Sequence, residues 1–251
     1  MSHVLTADGG TESLRVRIYD LEGKCVASHA EPYETKFMAG ARAEQNAEDW
    51  WSSLVTATQI CLKEANISGD AVDAMAYATT CCTVVALDKN GAPLRPALMW
   101  MDVRADREAE AVLETGDQRL ILNGNGQGPV SAEWMIPKAL WLKRNEPKIF
   151  DDAVTICEYQ DYLTMRLTGE RCASLNNIGL RWHYANRDGG WASGIVEKLG
   201  MPDLLEKWPS RVAAPGEVVG NLSAAAAAEL GLSTRTKLVQ GGADALIGMI
   251  G

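Results

Sequence analysis

Apolar residues come in short runs over the first third of the chain, and glycine separates them. VLTADGG (4–10), SLRVRIYD (13–20) and KCVASHAEP (24–32) have strand lengths, and DLEGK supplies a turn between the last two, so the chain opens as an antiparallel meander. The period then changes. In EDWWSSLVTATQICLKEA (48–65), Trp51, Leu54, Val55, Thr58 and Leu62 recur at helical spacing with Cys61 at the margin, which predicts a helix with one buried side. AVDAMAYATT (71–80) reads as a buried strand, and TVVALDKNGAPL (83–94) as a strand followed by a tight turn at D-K-N-G. Helices follow over 103–115, 132–145 and 161–167, with a short strand at 154–158 and a polar, loop-rich stretch over 183–216. GEVVGNLSAAAAAELGL then gives a strand, an N-cap at Ser223 and an alanine-rich helix, and TKLVQGG (236–242) is a last buried strand. The order is that of an α/β protein. Neither an internal repeat nor a low-complexity linker interrupts it, so 1–251 reads as one domain.

Composition narrows the partners. With 47% hydrophobic and 23% charged residues, the 251-residue chain has the make-up of a soluble globular protein with a real core. Its 33 acidic against 24 basic residues leave a net charge of −9, which argues against nucleic acid or an anionic membrane surface as partner. A phosphorylated ligand stays open, because backbone N–H groups bind phosphate without net positive charge. The N-terminal MSHVLTADGG has neither the basic nor the apolar region of a secretory signal, and no run reaches the length of a membrane span. The six cysteines (25, 61, 81, 82, 157 and 172) lack CxxC spacing and read as reduced, mostly core thiols of a cytoplasmic protein. The three histidines do not cluster with them, so no zinc site is expected.

Two glycine turns carry candidate chemistry. ADGGTES (7–13) places an Asp, two glycines and two hydroxyls between strands, where backbone N–H groups can converge on an anion and Asp8 can hold a magnesium ion. A plain hairpin turn explains the same residues. QGGADA (240–245) puts Asp244 at a helix start, as a cap or as a general base kept ionised by the helix dipole.

The order D-x-G-T, Ser13, Arg15 on a first hairpin and a distant G-G-x-D-A after a strand resembles the FGGY carbohydrate kinases. ALMWMDVRA (97–105) is similar to that family's Trp-x-Asp-x-Arg segment, EYQDYLTMRLTG (158–169) to its D-Y-L-x-x-R-L-T-G helix, and VSAEWMIPKALWLKRNEP (130–147) to a segment of its ribulokinase-like, pentulose-phosphorylating members. The resemblance spans residues 4 to 251. It implies a ribonuclease-H-like, actin-like ATPase domain with a mixed five-stranded sheet flanked by helices. It further implies that residues 1–251 form the N-terminal, sugar-binding half of a cytoplasmic sugar kinase, with a C-terminal nucleotide-binding domain missing from the chain. Asp244 would then be the base and would touch the sugar, which is phosphorylated from ATP. Asp8 would orient Mg²⁺, with Gly10, Thr11 and Ser13 approaching the phosphates. Arg15 is either a phosphate-side charge or a strand-edge ion pair. Trp100, Asp102 and Arg104 would face the sugar, although Trp100 also reads as core and Arg104 as part of a solvated helix face.

Cys81 and Cys82 depart from that pattern, since they fall where relatives carry polar, substrate-contacting pairs and thiols are weak donors. Either the contact passes to Thr79, Thr80 or Thr83, or the substrate differs; a vicinal disulfide is the third reading. Glu133 and Lys138 follow NGNGQGPVS, a run that reads as a wall of the sugar site or as a surface loop. The competing class is a sugar-binding or regulatory module without a nucleotide half, for which Asp8 and Asp244 would be superfluous. Surface near 239–251 that a second domain would cover is expected to be apolar and to favour self-association as a homodimer.

Overall fold

A computed structural model describes residues 2–122 and 130–249. Strands β1 (His3–Gly9), β2 (Ser13–Asp20) and β3 (Cys25–Pro32) form the expected meander, followed by β4 (Lys36–Met38) and β5 (Arg42–Gln45). Helix α1 (Ala47–Ala65) starts where the Asn46 side chain accepts from Glu48 N and ends where Asn66 turns left-handed at φ 52°. These are the two devices that satisfy orphaned helix ends. Then come β6 (Val72–Thr79), β7 (Val84–Leu87), β8 (Ala97–Leu98), α2 (Asp106–Glu114), α3 (Met135–Asn145), α4 (Pro147–Asp152), β9 (Thr155–Glu158) and α5 (Tyr159–Thr168). The last third holds β10 (Cys172–Ser174), α6 (Leu175–Arg181), α7 (Ser193–Lys198), α8 (Leu204–Lys207), β11 (Arg211–Ala213), β12 (Val218–Asn221), α9 (Ala224–Leu230), β13 (Lys237–Val239) and α10 (Asp244–Ile247).

The main sheet runs β12-β13-β6-β1-β2-β3, with β6 parallel to both β1 and β13 and the remaining pairs antiparallel. It is mixed, as expected, but holds six strands rather than five, because β12 pairs back on β13 at the far edge. One face presents Leu5, Ala7, Leu14, Val16, Ile18, Met75, Tyr77 and Leu238 to the apolar sides of α1, α5 and α9. The other face carries Thr6, Asp8, Arg15, Arg17, Ala76 and Ala78, all half-buried or exposed.

A second sheet, β4-β5-β8-β7-β9, lies between two cores. Along β7, Val85 and Leu87 join the first core while Val84 and Ala86 join a second one with Ile136, Leu140, Trp182 and Trp208. A strand buried on both faces reads as an unbroken apolar run, which is why VVAL and TICE show no alternation. The stretch 183–216 is less loop-rich than its polarity predicts, since α7, α8 and β11 fall within it and Ile195, Val196 and Leu204 are wholly buried. Near the last strand the surface is apolar as anticipated: Val218 and Met249 are exposed, and Leu246 and Ile247 are half-buried.

Candidate active site

The first glycine turn is shaped from below. The Tyr33 hydroxyl donates to the carbonyls of Gly10 and Ser13, while Thr35 Oγ1 and Gln45 Nε2 donate to Thr11 O. Tyr159, stacked on Trp50 with ring centroids 3.7 Å apart, fills the space under Gly9, where an added Cβ would stand 2.6 Å from its hydroxyl. With these carbonyls engaged on the protein side, no hydrogen bond among the described residues uses the amides of Thr11 and Glu12. Such a turn can offer N–H groups to an anion.

The second turn is held on three sides. Thr79 N donates to Gly242 O at 3.2 Å, Ser174 Oγ to Gly241 O at 2.8 Å, and Ala243 N to Asn176 Oδ1 at 2.9 Å. Its glycines are required by close approach: a Cβ on Gly241 would lie 1.7 Å from Tyr77 O, and one on Gly242 2.6 Å from Asn176 Oδ1. The result is a fixed, half-buried Asp244 whose Oδ1 accepts from Ala245 N at 2.6 Å. Burial, together with the nearby Asp8 charge, pushes its carboxyl above the ordinary value. At the start of the four-residue α10, desolvation outweighs the Ala245 amide bond that acts to lower it.

Asp244 stands where two cavities meet. One, of about 740 Å³, is lined by Asp8, Gly10, Arg17, Gly216, Gln240 and Gly241 with the alanines of the open sheet face. The other, of about 310 Å³, is lined by Thr11, Thr80, Cys81, Cys82, Trp100, Glu133, Arg181 and Ala245. Asp244 belongs to both.

Eight of the residues singled out in the sequence therefore converge on the second cavity or its rim: Thr11, Thr80, Cys81, Cys82, Trp100, Glu133 and Asp244, with Lys138 immediately behind. Thr11 lies on this side rather than among the anion-turn residues of the first cavity, and its hydroxyl accepts from Trp100 Nε1 at 3.1 Å. Lys138 is wholly buried and donates to Cys82 O at 2.7 Å and to Met99 O, so one ammonium fixes both the cysteine turn and the residue before Trp100. Burial lowers its pKa to about 8. Thr79 and Thr83 are fully buried, and Thr83 Oγ1 accepts from Trp100 N at 3.2 Å.

Asp102 and Arg104 are not brought to the cavity wall. Asp102 is fully buried, with Ala43 N at 2.7 Å and Arg104 at 2.7 and 2.8 Å, and Arg104 continues to Glu44 and lies over Trp141. The pair's mutual attraction holds the carboxyl below its usual range, against the desolvation that opposes it. Both groups are spent on anchoring the loop after β8. Arg15, opposite Asp8 across the β1–β2 ladder, is exposed and outside the first cavity; Arg17, two residues on, lines it. Ser13 lines neither cavity. The NGNGQGPVS run lies outside the described residues except at its end. Sequence reading missed Arg181, which stacks on Trp134 at 5.0 Å and reaches the second cavity, as well as Arg17 in the first. No local motif marks either, and only the topology brings them in.

Comparison with known proteins agrees with this architecture. The chain is 27% identical over 259 residues to the xylulose kinase of Bacillus subtilis, covering all of this chain and 49% of that protein. It is 26% identical to a D-ribulokinase of Saccharomyces cerevisiae, covering 97% of this chain and 37% of the other. It thus spans about half or less of the length of these relatives. Among solved structures, ligand-bound xylulose kinase from Lactobacillus acidophilus superposes with a TM-score of 0.87 at 21% identity, over all of this chain and 50% of that one. The fold is thereby the ribonuclease-H-like, actin-like one of the sugar kinases. Residues 3–251 match the N-terminal domain of the FGGY family of carbohydrate kinases, and the chain belongs to that family.

Proposed function

We propose that this chain carries the acceptor side and the catalytic base of an ATP-dependent sugar kinase, with a pentulose as acceptor. The observation that carries the reading is the position of Asp244 on the wall shared by the two cavities. A sugar in the smaller cavity would find an aromatic wall in Trp100, acceptors in Glu133 and Asp244, and a cation in Arg181. Its volume is at the small end for ligand sites, which suits a monosaccharide. The phosphates of ATP would enter the larger cavity beside Gly10 and Gly241.

Asp244 removes the proton from the attacking hydroxyl. The sugar oxygen forms a bond to the γ-phosphorus as the bond to the bridging oxygen breaks, ADP leaves, and the proton stays on the carboxyl. Phosphoryl transfer needs little beyond such positioning and charge neutralisation. Asp8, a carboxylate on the same cavity wall and close enough to perturb Asp244, suits a hard divalent cation. Mg²⁺ held there would offset phosphate charge. Pentulose as the acceptor is supported by the named activities of the two relatives and by the 130–147 segment.

We assign the adenosine to a second domain that completes the kinase, residues 1–251 being the N-terminal one. The test is twofold. Titrated by saturation-transfer NMR, the 251-residue chain is expected to bind D-xylulose or D-ribulose weakly, in the millimolar range of roughly 4 kcal/mol, and to lose that binding in Trp100→Ala. Sugar-dependent ADP release by the chain alone is expected to be negligible. Robust release would overturn the assignment to a second domain, and absence of pentulose binding would overturn the acceptor site.

A further inference from the structure

The wall of the smaller cavity contains a feature that phosphoryl transfer does not use. Cys81 and Cys82 are adjacent in sequence, and Cys82 Sγ lies 3.8 Å from Cys81 Sγ. Their turn falls between β6 and β7, outside any ladder, with Cys82 in the left-handed region at φ 63°. Cys81 is half-buried, and both residues line the cavity together with Arg181. The other buried thiols, Cys61, Cys157 and Cys172, sit in the first core.

We propose that Cys81 and Cys82 form a dithiol modification site, oxidised by hydroperoxides to a reversible vicinal disulfide on the cavity wall. The Cys81 thiolate attacks hydrogen peroxide, breaking the O–O bond and giving a sulfenic acid and hydroxide, which takes up the proton that Cys81 released and leaves as water. The Cys82 sulfur then displaces the hydroxyl, which takes the Cys82 proton and leaves as a second water. One peroxide is thus reduced and two thiols are oxidised, without other co-reactants. The hydrogen bond from Cys82 lowers the Cys81 thiol below its ordinary range against burial and the charges of Glu158 and Asp244, with a smaller contribution from Arg181, whereas burial raises Cys61 to about 11, Cys172 to about 11 and Cys157 further. The more accessible thiol of the pair is thus also the one held lower. A ring closed between neighbouring residues is strained, and strain makes it easy to reduce again. Closure also disturbs the Cys82 carbonyl that Lys138 holds, and so the wall facing the sugar; this consequence, unlike the oxidation itself, rests on the reading of the cavity as a sugar site.

The test uses the chain with Cys25→Ser, which removes the exposed thiol. After brief treatment with hydrogen peroxide, alkylation and trypsin digestion, the peptide from Glu64 to Lys89 is expected to be two hydrogens lighter and to resist alkylation until a reductant is added. Cys82→Ser is expected to leave a sulfenic acid on Cys81 that dimedone captures. Because Cys82 occupies a left-handed turn, the unsubstituted pair carries the test and the serine variant sharpens it. Two thiols alkylated at once after peroxide, or Cys81 driven to sulfinic acid beside a free Cys82, would overturn the proposal. The cross-link is read without sugar, so a failed sugar assay faults the cavity's reading and an open dithiol faults the site.

Discussion

The two cavities that meet at Asp244 are made of different material. The larger is walled mainly by consecutive residues of β1, β6 and the turn after β13, many of them glycine or alanine, with Asp8, Arg17 and Gln240 among them, and its shape follows from how closely those strands approach. The smaller is walled by side chains from six separate stretches of chain, held in place by groups behind them such as Lys138 and Thr83. Where a glycine presses on backbone, as Gly241 does, the wall tolerates no added atom, whereas side-chain walls tolerate truncation. One is fixed by steric exclusion and the other by a network of hydrogen bonds.

The largest break should come from a single carbon. Gly241→Ala drives a Cβ into the Tyr77 carbonyl, and neither backbone can retreat without tearing β6 from β13, so a loss of more than about 3 kcal/mol is expected in urea unfolding. Gly10→Ala, at the other glycine turn, meets only Ser13 O at 3.5 Å, so a change within about 0.5 kcal/mol should follow. Equal losses in the two would mean that close backbone approach is not what fixes the wall at Gly241.

Next is chemistry. In the assembled kinase, Asp244→Asn should lower sugar-dependent ADP release by about 10²–10⁴-fold while leaving sugar affinity within about threefold. A parallel fall in affinity would make Asp244 a binding group instead.

Lys138→Met probes the network behind the smaller cavity. It keeps the buried stem but strands the carbonyls of Cys82 and Met99, and should cost about 2–4 kcal/mol. The sign of its pH dependence is fixed. Folded Lys138 titrates near 8, while an unfolded lysine titrates near 10.4. Between these values the unfolded chain binds the extra proton, so this lysine makes stability rise with pH there and penalises the fold below. The difference between wild type and Lys138→Met should carry that slope, and a flat difference would place the ammonium in water.

The smallest effect concerns coupling between the cavities. Asp8→Asn removes one of the two causes that raise the Asp244 carboxyl, so its titration, followed by carboxyl ¹³C NMR, should move to lower pH yet remain above an ordinary aspartate because burial persists. No movement would mean that the two carboxylates do not sense each other.

The same difference in material governs how much could be read in advance. Strand lengths, glycine punctuation and the Ser223 cap are local, and they marked the meander, α1, β6 and both turns. The glycines of the larger cavity lie next to the aspartates they position, so that wall was visible as two short motifs. Arg181 and Arg17 were not, since a side chain acquires its neighbours only when distant segments meet. Asp102 and Arg104 show the converse, for a motif that looked like substrate contacts is consumed by a buried ion pair with each other, Glu44 and the Ala43 amide. Strands buried on both faces, β7 and β9, hid the second core, because periodicity needs a solvent side to register.

Trp100 has a consequence for optical spectroscopy. Of eight tryptophans, Trp50, Trp51, Trp134, Trp141, Trp182 and Trp208 are buried, whereas Trp100 is 37% exposed and stands on the smaller cavity. An aqueous quencher such as iodide therefore meets this indole and the half-buried Trp191, and a molecule seated against Trp100 would shield the first. The fold thus carries its own optical gauge of whether that cavity is filled, read without any label.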